Sequence, residues 1–409
     1  MGKAKRFRRC ASSSSQKVVL SNEDLLTLIL LHVPWTKLIS LKCVSRQWLS
    51  LITTFHFSNL LPPLRASGLF IQAPHDTFID VSSPNEVYFL SLDDPNKASP
   101  FKTRVFENEH DDHENIRILQ SCNGLLLCSN VPGTRFYVYN PSTNQLATPK
   151  QPLGTWDTFR YVGLSFDPSK SLNYKVIGLV SRPRSQALDE RDFYIFSSET
   201  KAWKSSVQSF TSDPGMYFND GVYWNGCMHW LSTLHRDLEP DSSVSVCLYF
   251  NVDEERVGTF PGPPIGEFEE GSLYFGESEG HLHVIEACPM VSSLSVYEMK
   301  SDYSMWFVKY QIDLDPIFRA FPEIKDITSF EYQFYYAVKV FSLIRRENFH
   351  EDSFLVLEIP GKVIRYNLMD RSFKLIWDFG VDLDIDPHIN DDLLFDFQVC
   401  PYIKTLSCV

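Results

Sequence analysis

The chain has 409 residues, 44% hydrophobic and 22% charged, with 31 Phe, 18 Tyr and 8 Trp. That is ordinary globular composition, long enough for two or three units, and its aromatic excess favours strands. Net charge is −13; residues 1–17 hold six Lys/Arg and no acid, so the remaining 32 basic and 51 acidic residues leave the body near −19. Such a body repels phosphate backbones, which argues against nucleic-acid binding. No apolar run reaches membrane-spanning length and no signal-peptide core precedes the basic cluster, so no membrane partner is expected. Nine scattered cysteines, without a CxxC pair, and the lack of any N-x-S/T sequon fit a reducing compartment: nucleus and/or cytoplasm.

Residues 1–19 are basic and then Ser-rich and read as a disordered tail. Lys3, Lys5, Arg6, Arg8 and Arg9 suit a nuclear-import signal or a merely solubilising tail. A helical domain is expected over 20–61. Ser21 with Asp24 forms a capping-box start; Leu25, Leu28, Ile29 and His32 line one helical face, and Leu26, Leu30 and Val33 another. Pro34 stops this helix, Thr36 caps a second, and Ser45 caps a third carrying Trp48, Leu51, Ile52 and Phe55. Three helices this short cannot bury two apolar faces each. Domains of this size need a metal, a disulfide or a partner, and with no paired cysteines here a partner is inferred.

Leu25-Leu26, Ile29-Leu30, Val33-Pro34, Leu38, Leu41, Cys43-Val44-Ser45, Trp48 and Leu51-Ile52 together resemble an F-box. The proline usual near the start of the first helix is replaced by Ser21 or Asn22, both competent caps. The resemblance implies docking onto a Skp-family adaptor, and through it onto the cullin and RING subunits of an SCF-type ubiquitin ligase. The adaptor-binding residues it implies are Leu25, Ile29, Pro34, Leu38, Leu41, Val44 and Trp48, shared between their own core and the adaptor.

After a linker at 62–67, residues 68–409 lose helical periodicity. Short aromatic and β-branched runs alternate with Gly, Pro, Asn, Asp and Ser, as at 68–71, 125–128, 175–180, 281–285 and 354–358, and argue for an all-β body. A strand–turn–strand motif recurs at 136–148, 193–205, 247–259, 294–308 and 363–377, with a weaker copy at 87–101. Taking Phe89, Tyr139, Phe196, Phe250, Tyr297 and Tyr366 as equivalent gives spacings of 50, 57, 54, 47 and 69. Repeats of roughly this period read as four-stranded propeller blades, which must stack to cover their faces. About six blades are expected, although the long last gap leaves room for another. Residues 68–72 and 396–403 are the candidates for closing the ring.

Residues 121–130, followed by 136–145 and the block Tyr223–Leu231, resemble the F-box-associated domain of the large plant F-box family. That family pairs an F-box with a kelch-like β-propeller, which implies a mainly β fold with a small N-terminal α domain and a substrate-recognition role toward a client protein. Asn123-Gly124 and Asn225-Gly226 read as tight hairpins, Asn140-Pro141 as a turn, and Trp230 as blade core.

Candidate chemistry is sparse. His110-Asp111-Asp112-His113-Glu114 packs five metal-ligand types into an acidic loop, where a solvated surface is the simpler reading. His281 and His283 share one strand face but have no further ligand adjacent in sequence. Cys122, Cys128, Cys227 and Cys247 lie in or beside strands, where thiols are ordinarily buried and inert. No nucleophile elbow, P-loop, H-E-x-x-H or G-x-G-x-x-G occurs, so neither catalysis, nor a metal, nor a cofactor is expected. What remains is recognition by the loops, expected to be longest at 102–117, 181–191, 206–221, 235–243, 260–271, 310–330 and 378–395. An acidic rim is drawn from Glu267, Glu269, Glu270, Asp382, Asp384, Asp386, Asp391 and Asp392. The alternatives are an F-box scaffold or co-regulator without a degraded client, and a propeller binding a small ligand.

Overall fold

A computed structural model describes residues 22–61, 65–72, 87–94, 96–106, 116–130, 133–150, 159–182, 189–206, 209–212, 218, 220–232, 246–265, 272–287, 292–322, 338–346, 353–379 and 397–409. The chain divides into two units. A small one gathers the N-terminal helices with Pro168–Leu172 and Leu406–Cys408; a large one holds the strands. The 1–19 tail, the 110–114 cluster and the residues named for the acidic rim lie outside the described residues.

The small unit contains α1 (Glu23–Leu31), α2 (Trp35–Leu41), α3 (Arg46–Ile52) and α4 (Phe55–Leu60). Four helices therefore stand where three were expected. The hydroxyls of Thr53 and Thr54 donate to Leu49 O and Leu51 O, each at 2.7 Å, taking the last carbonyls of α3. Thr54 Oγ1 then accepts from Phe57 N at 3.2 Å and starts a new helix before Phe55 can extend the old one. Asn22, the other cap named for the first helix, accepts through Oδ1 from Leu25 N at 3.1 Å. One cap moves. Thr36 lies inside α2, because Pro34 begins that helix: its carbonyl already accepts from Lys37 N at 2.8 Å. Ser45 caps α3 as expected, accepting from Trp48 N at 3.1 Å.

In the large unit β1 (Ala66–Gln72) pairs antiparallel with β2 (Val87–Ser91). Five four-stranded antiparallel meanders follow. The first is β3 (Ile116–Cys122), β4 (Leu125–Asn130), β5 (Phe136–Asn140) and β6 (Gln145–Ala147). Next come β7 (Phe159–Ser165), β8 (Lys175–Arg182), β9 (Asp189–Ser197) and β10 (Ala202–Ser205), with β11 (Phe210–Ser212) also pairing β9. The third is β12 (Val222–Trp224), β13 (Cys227–Trp230), β14 (Val246–Asn251) and β15 (Arg256–Pro261). The fourth is β16 (Ser272–Ser278), β17 (His281–Ala287), β18 (Ser293–Met299) and β19 (Trp306–Asp313). After α5 (Asp315–Ala320) comes the fifth: β20 (Lys339–Ile344), β21 (Phe354–Ile359), β22 (Lys362–Asn367) and β23 (Phe373–Asp378). The last strand, β24 (Gln398–Ile403), returns to β1, pairing Gly68 with Tyr402 and Gln72 with Gln398, and completes a sixth blade. The unit is thus a six-bladed β-propeller closed by its own two ends, through the stretches the sequence offered for closure.

Every residue taken as equivalent in the repeat lies on the third strand of its blade, counting outward, with β2 in that place in the closing blade. The 69-residue gap holds α5 and ordinary strands; among the described residues it contains no seventh blade. The expected loops at 206–221 and 310–330 contain β11 and α5, and that at 102–117 ends in β3. These elements are too short to leave a period of their own. Six apolar clusters fill the spaces between neighbouring blades: for example Phe193, Trp230 and Phe250 between the β7–β10 and β12–β15 blades, and Ile285, Val296 and Leu357 between the last two meanders. A two-faced sheet buries itself this way only when both neighbours are present.

Turn chemistry repeats with the blades. Asn140 Oδ1 accepts from Ser142 N, Asn251 Oδ1 from Asp253 N, and Asn367 Oδ1 from Met369 N, at 2.8–3.0 Å. Four residues later Asn144, Glu255 and Arg371 each take positive φ. Side-chain amides also stitch blades together. Gln72 donates to Ile116 O at 2.7 Å and accepts from Ile118 N at 2.9 Å; Gln120 accepts from Leu164 N at 2.6 Å and donates to Gly221 O at 3.2 Å. These bonds satisfy backbone groups that would otherwise be buried unpaired.

Gly124, at φ +91°, packs its turn against the end of β24: a Cβ there would sit 2.6 Å from Ile403 O. Gly133 has a similar φ of +88° but open space. Gly133→Ala is expected to cost only the left-handed penalty, about 1–2 kcal/mol. Gly124→Ala is expected to cost more, because the closing strand must shift as well. Urea unfolding midpoints compare the two; equal losses would mean that the turn does not brace the closure.

Candidate functional site

The helical unit has an apolar core of Leu26, Leu30, Leu38, Leu51, Ile52, Phe57 and Leu406, with Leu41 and Trp48 packed against it. Of the seven residues implied to bind the adaptor, Leu38 is fully buried and Leu41 and Trp48 are half-buried. Pro34 is exposed, and so are Leu25, Ile29 and Val44, at 41%, 48% and 59%. Leu38 is therefore a core residue, while Leu25, Ile29 and Val44 face water. The two faces read from the first helix separate cleanly: Leu26 and Leu30 point inward, and Leu25, Leu28, Ile29 and His32 line a shallow apolar groove. Leu28, 56% exposed, belongs with the outward set by its spacing, although the F-box pattern had not marked it. Leu49, Phe55 and Leu60 are exposed as well. Exposed apolar side chains this numerous on so small a unit have the composition of a protein-binding surface.

The propeller carries buried polar groups of another kind. On β18, Glu298 is 5% exposed and lies directly opposite His283 in the ladder. Arg345 Nη1 reaches it at 2.8 Å, His281 Nδ1 at 2.9 Å, His283 Nε2 at 3.5 Å and Lys309 Nζ at 3.7 Å. Burial alone would raise the carboxyl pKa. The neighbouring His283 ring and the charges of Arg345 and His281 outweigh it and hold Glu298 at about 2. Arg345 follows β20, so the pair ties two blades together. Glu298 is the partner that the His281/His283 pair lacked in sequence; strand pairing supplies it. Among the described residues no group of three or more His, Cys, Asp or Glu is arranged to hold a metal.

His229 is fully buried beside Tyr303. Its Nε2 lies 2.8 Å from the Tyr303 hydroxyl and its Nδ1 3.3 Å from Val222 O, the pattern of a neutral ring donating to a carbonyl and accepting from a hydroxyl. Burial lowers its pKa to about 4, against the ring's hydrogen bonds to the backbone of Val222 and Cys227. Cys122, Cys128, Cys227 and Cys247 are buried. Burial raises the Cys122 and Cys128 thiols well above their ordinary value and Cys247 to about 11, so these are packing groups. Trp230 is core, 2% exposed.

Two features now stand together: a small helical unit with an outward apolar face, and a six-bladed ring. The family model described as F-box associated beta propeller domain matches residues 80–357. The chain belongs to that family. F-box protein At5g07610 of Arabidopsis thaliana is 34% identical to it, over 97% of this chain and 94% of the relative. F-box protein At5g49610 of the same plant is 28% identical, over 73% and 81%. This is a plant F-box protein with an F-box-associated propeller. Membership implies, at the level of the family, an SCF substrate-recognition adaptor that binds an Skp-type protein.

The buried histidine sets a pH dependence for the F-box protein. Its folded pKa lies below the unfolded value near 6.5, so the unfolded chain binds the proton more tightly. The stability contribution is complete above pH 6.5 and is lost as pH falls toward 4. The loss is up to roughly 3 kcal/mol. His229→Gln should flatten unfolding free energy against pH across that window; an unchanged slope would contradict the buried neutral ring.

Proposed function

We propose that this protein is the substrate-recognition subunit of an SCF-type ubiquitin ligase, with its helices holding the Skp-family adaptor and its propeller holding a client protein. The observation that carries the reading is the outward apolar set Leu25, Leu28, Ile29 and Val44 on a unit whose own core is already filled by other residues. These side chains are about half exposed, so covering each is worth roughly 1 kcal/mol in area removed from water. Leu38 supports the site by shaping it from beneath.

The protein performs no covalent chemistry of its own in this reading. The ligase's other subunits supply it, and the chain contributes tethering, which makes transfer to the client effectively intramolecular. None of the seven described cysteines is in a disulfide, which supports action in a reducing compartment, the nucleus and/or cytoplasm. Many of the connections between blades lie outside the described residues, so the client is to be identified by capture.

Leu25→Asp combined with Ile29→Asp is expected to weaken adaptor co-purification roughly 100-fold while leaving the helical circular dichroism intact, since neither side chain is in the core. Leu38→Asp should instead unfold the helical unit. The same double variant should retain clients that wild-type protein sends to degradation. Undiminished adaptor binding by a folded double variant would refute the interface.

A further inference from the structure

Five of the seven described cysteines are buried; Cys43 and Cys408 reach solvent. Cys408 has a specific neighbour. Lys42, which ends α2, places its Nζ 3.8 Å from Cys408 Sγ. The same amine donates to Leu406 O at 2.5 Å, which anchors it over the C-terminal segment. Leu406 in turn is 6% exposed and fills the helical core with Leu26, Leu30 and Leu38. An exposed thiol therefore lies against an amine that the Leu406 carbonyl holds in place.

We propose that Lys42 and Cys408 form an oxidation-driven cross-link that fastens the C-terminal segment to the second helix. Hydrogen peroxide oxidises the Cys408 thiolate to a sulfenic acid, one oxygen passing to sulfur and the other leaving in water. The neutral Lys42 amine then attacks that sulfur. The S–O bond breaks, the hydroxyl leaves as water with one amine proton, and an S–N sulfenamide bond forms. The sum is one thiol, one amine and one peroxide giving one S–N bond and two waters. Burial lowers the pKa of Lys42, against the neighbouring Cys408, which enriches the neutral, nucleophilic amine. Two cellular thiols reverse it: the first displaces the amine and leaves a mixed disulfide on Cys408, and the second displaces the Cys408 thiol from that disulfide. The effect is to lock Leu406 into the core beneath the outward apolar face; this chemistry stands apart from the adaptor reading.

The test is peroxide treatment of the full-length protein, followed by tryptic peptide mapping with intact-mass measurement. The expected product has lost two hydrogens. It joins residues 405–409 to residues 38–46 with cleavage after Lys42 blocked, and dithiothreitol releases it. Cys43 lies in the same peptide, so substitutions separate the two partners. The link should persist in Cys43→Ser and vanish in Lys42→Arg, which keeps the charge, and in Cys408→Ser. A link that survives Lys42→Arg, or is lost in Cys43→Ser, would be a disulfide to Cys43 and would overturn the proposal. Oxidation of Cys408 with no link to residues 38–46 would overturn it equally.

Discussion

The antiparallel ladder between β1 and β24 is the contact on which the propeller depends. It joins the two ends of the β body and lets the last meander find a neighbour. Each of the six apolar clusters is shared by two blades, so an open ring would expose two cluster faces at once. The closing segment is braced by more than its own ladder: Ser121 Oγ donates to Pro401 O at 2.6 Å, and Asn140 Nδ2 to Thr405 O at 3.3 Å. Side chains of the first complete meander thus hold the strand that arrives last.

The same logic governs the buried polar groups. Gln72, Gln120 and Gln398 each reach backbone of a neighbouring blade, and Glu298 meets Arg345 across another boundary. Apolar packing between twisted sheets tolerates sliding, whereas an amide bonded to one particular carbonyl fixes the register of one blade on the next. Breaking such a buried pair leaves a polar group without water, so each is a strong constraint even where its net contribution to stability is small. These groups hold the ring. The helical unit uses the opposite strategy, leaving Leu25, Ile29 and Val44 in water where a partner can cover them.

Much of this was legible in order along the chain. The third-strand aromatics Tyr139, Phe250 and Tyr366 repeat because three blades bury the same position, and Asn140, Asn251 and Asn367 repeat because the outer turns of those blades use the same side-chain acceptor. The two faces of α1 could be told apart by period, since helix geometry alone separates Leu26 and Leu30 from Leu25 and Ile29. Which face is inside could not. That depends on Leu406, almost the whole chain length away, joining Leu38 and Phe57. The break between α3 and α4 was missed because it rests on two threonine hydroxyls choosing carbonyls, a competition that apolar spacing does not record.

By itself the sequence determined the blade as a unit, the candidate segments that close the ring and the F-box pattern before it, because each is written in local periods and turn residues; the count of six was settled by the strand pairing. Tertiary structure alone decided that Leu38 is core while Ile29 is surface, that Glu298 is the partner of His281 and His283, and that Lys42 meets Cys408. The reason is that burial and ionic pairing are properties of residues brought together from distant positions. No local period records which strand or segment will arrive beside another.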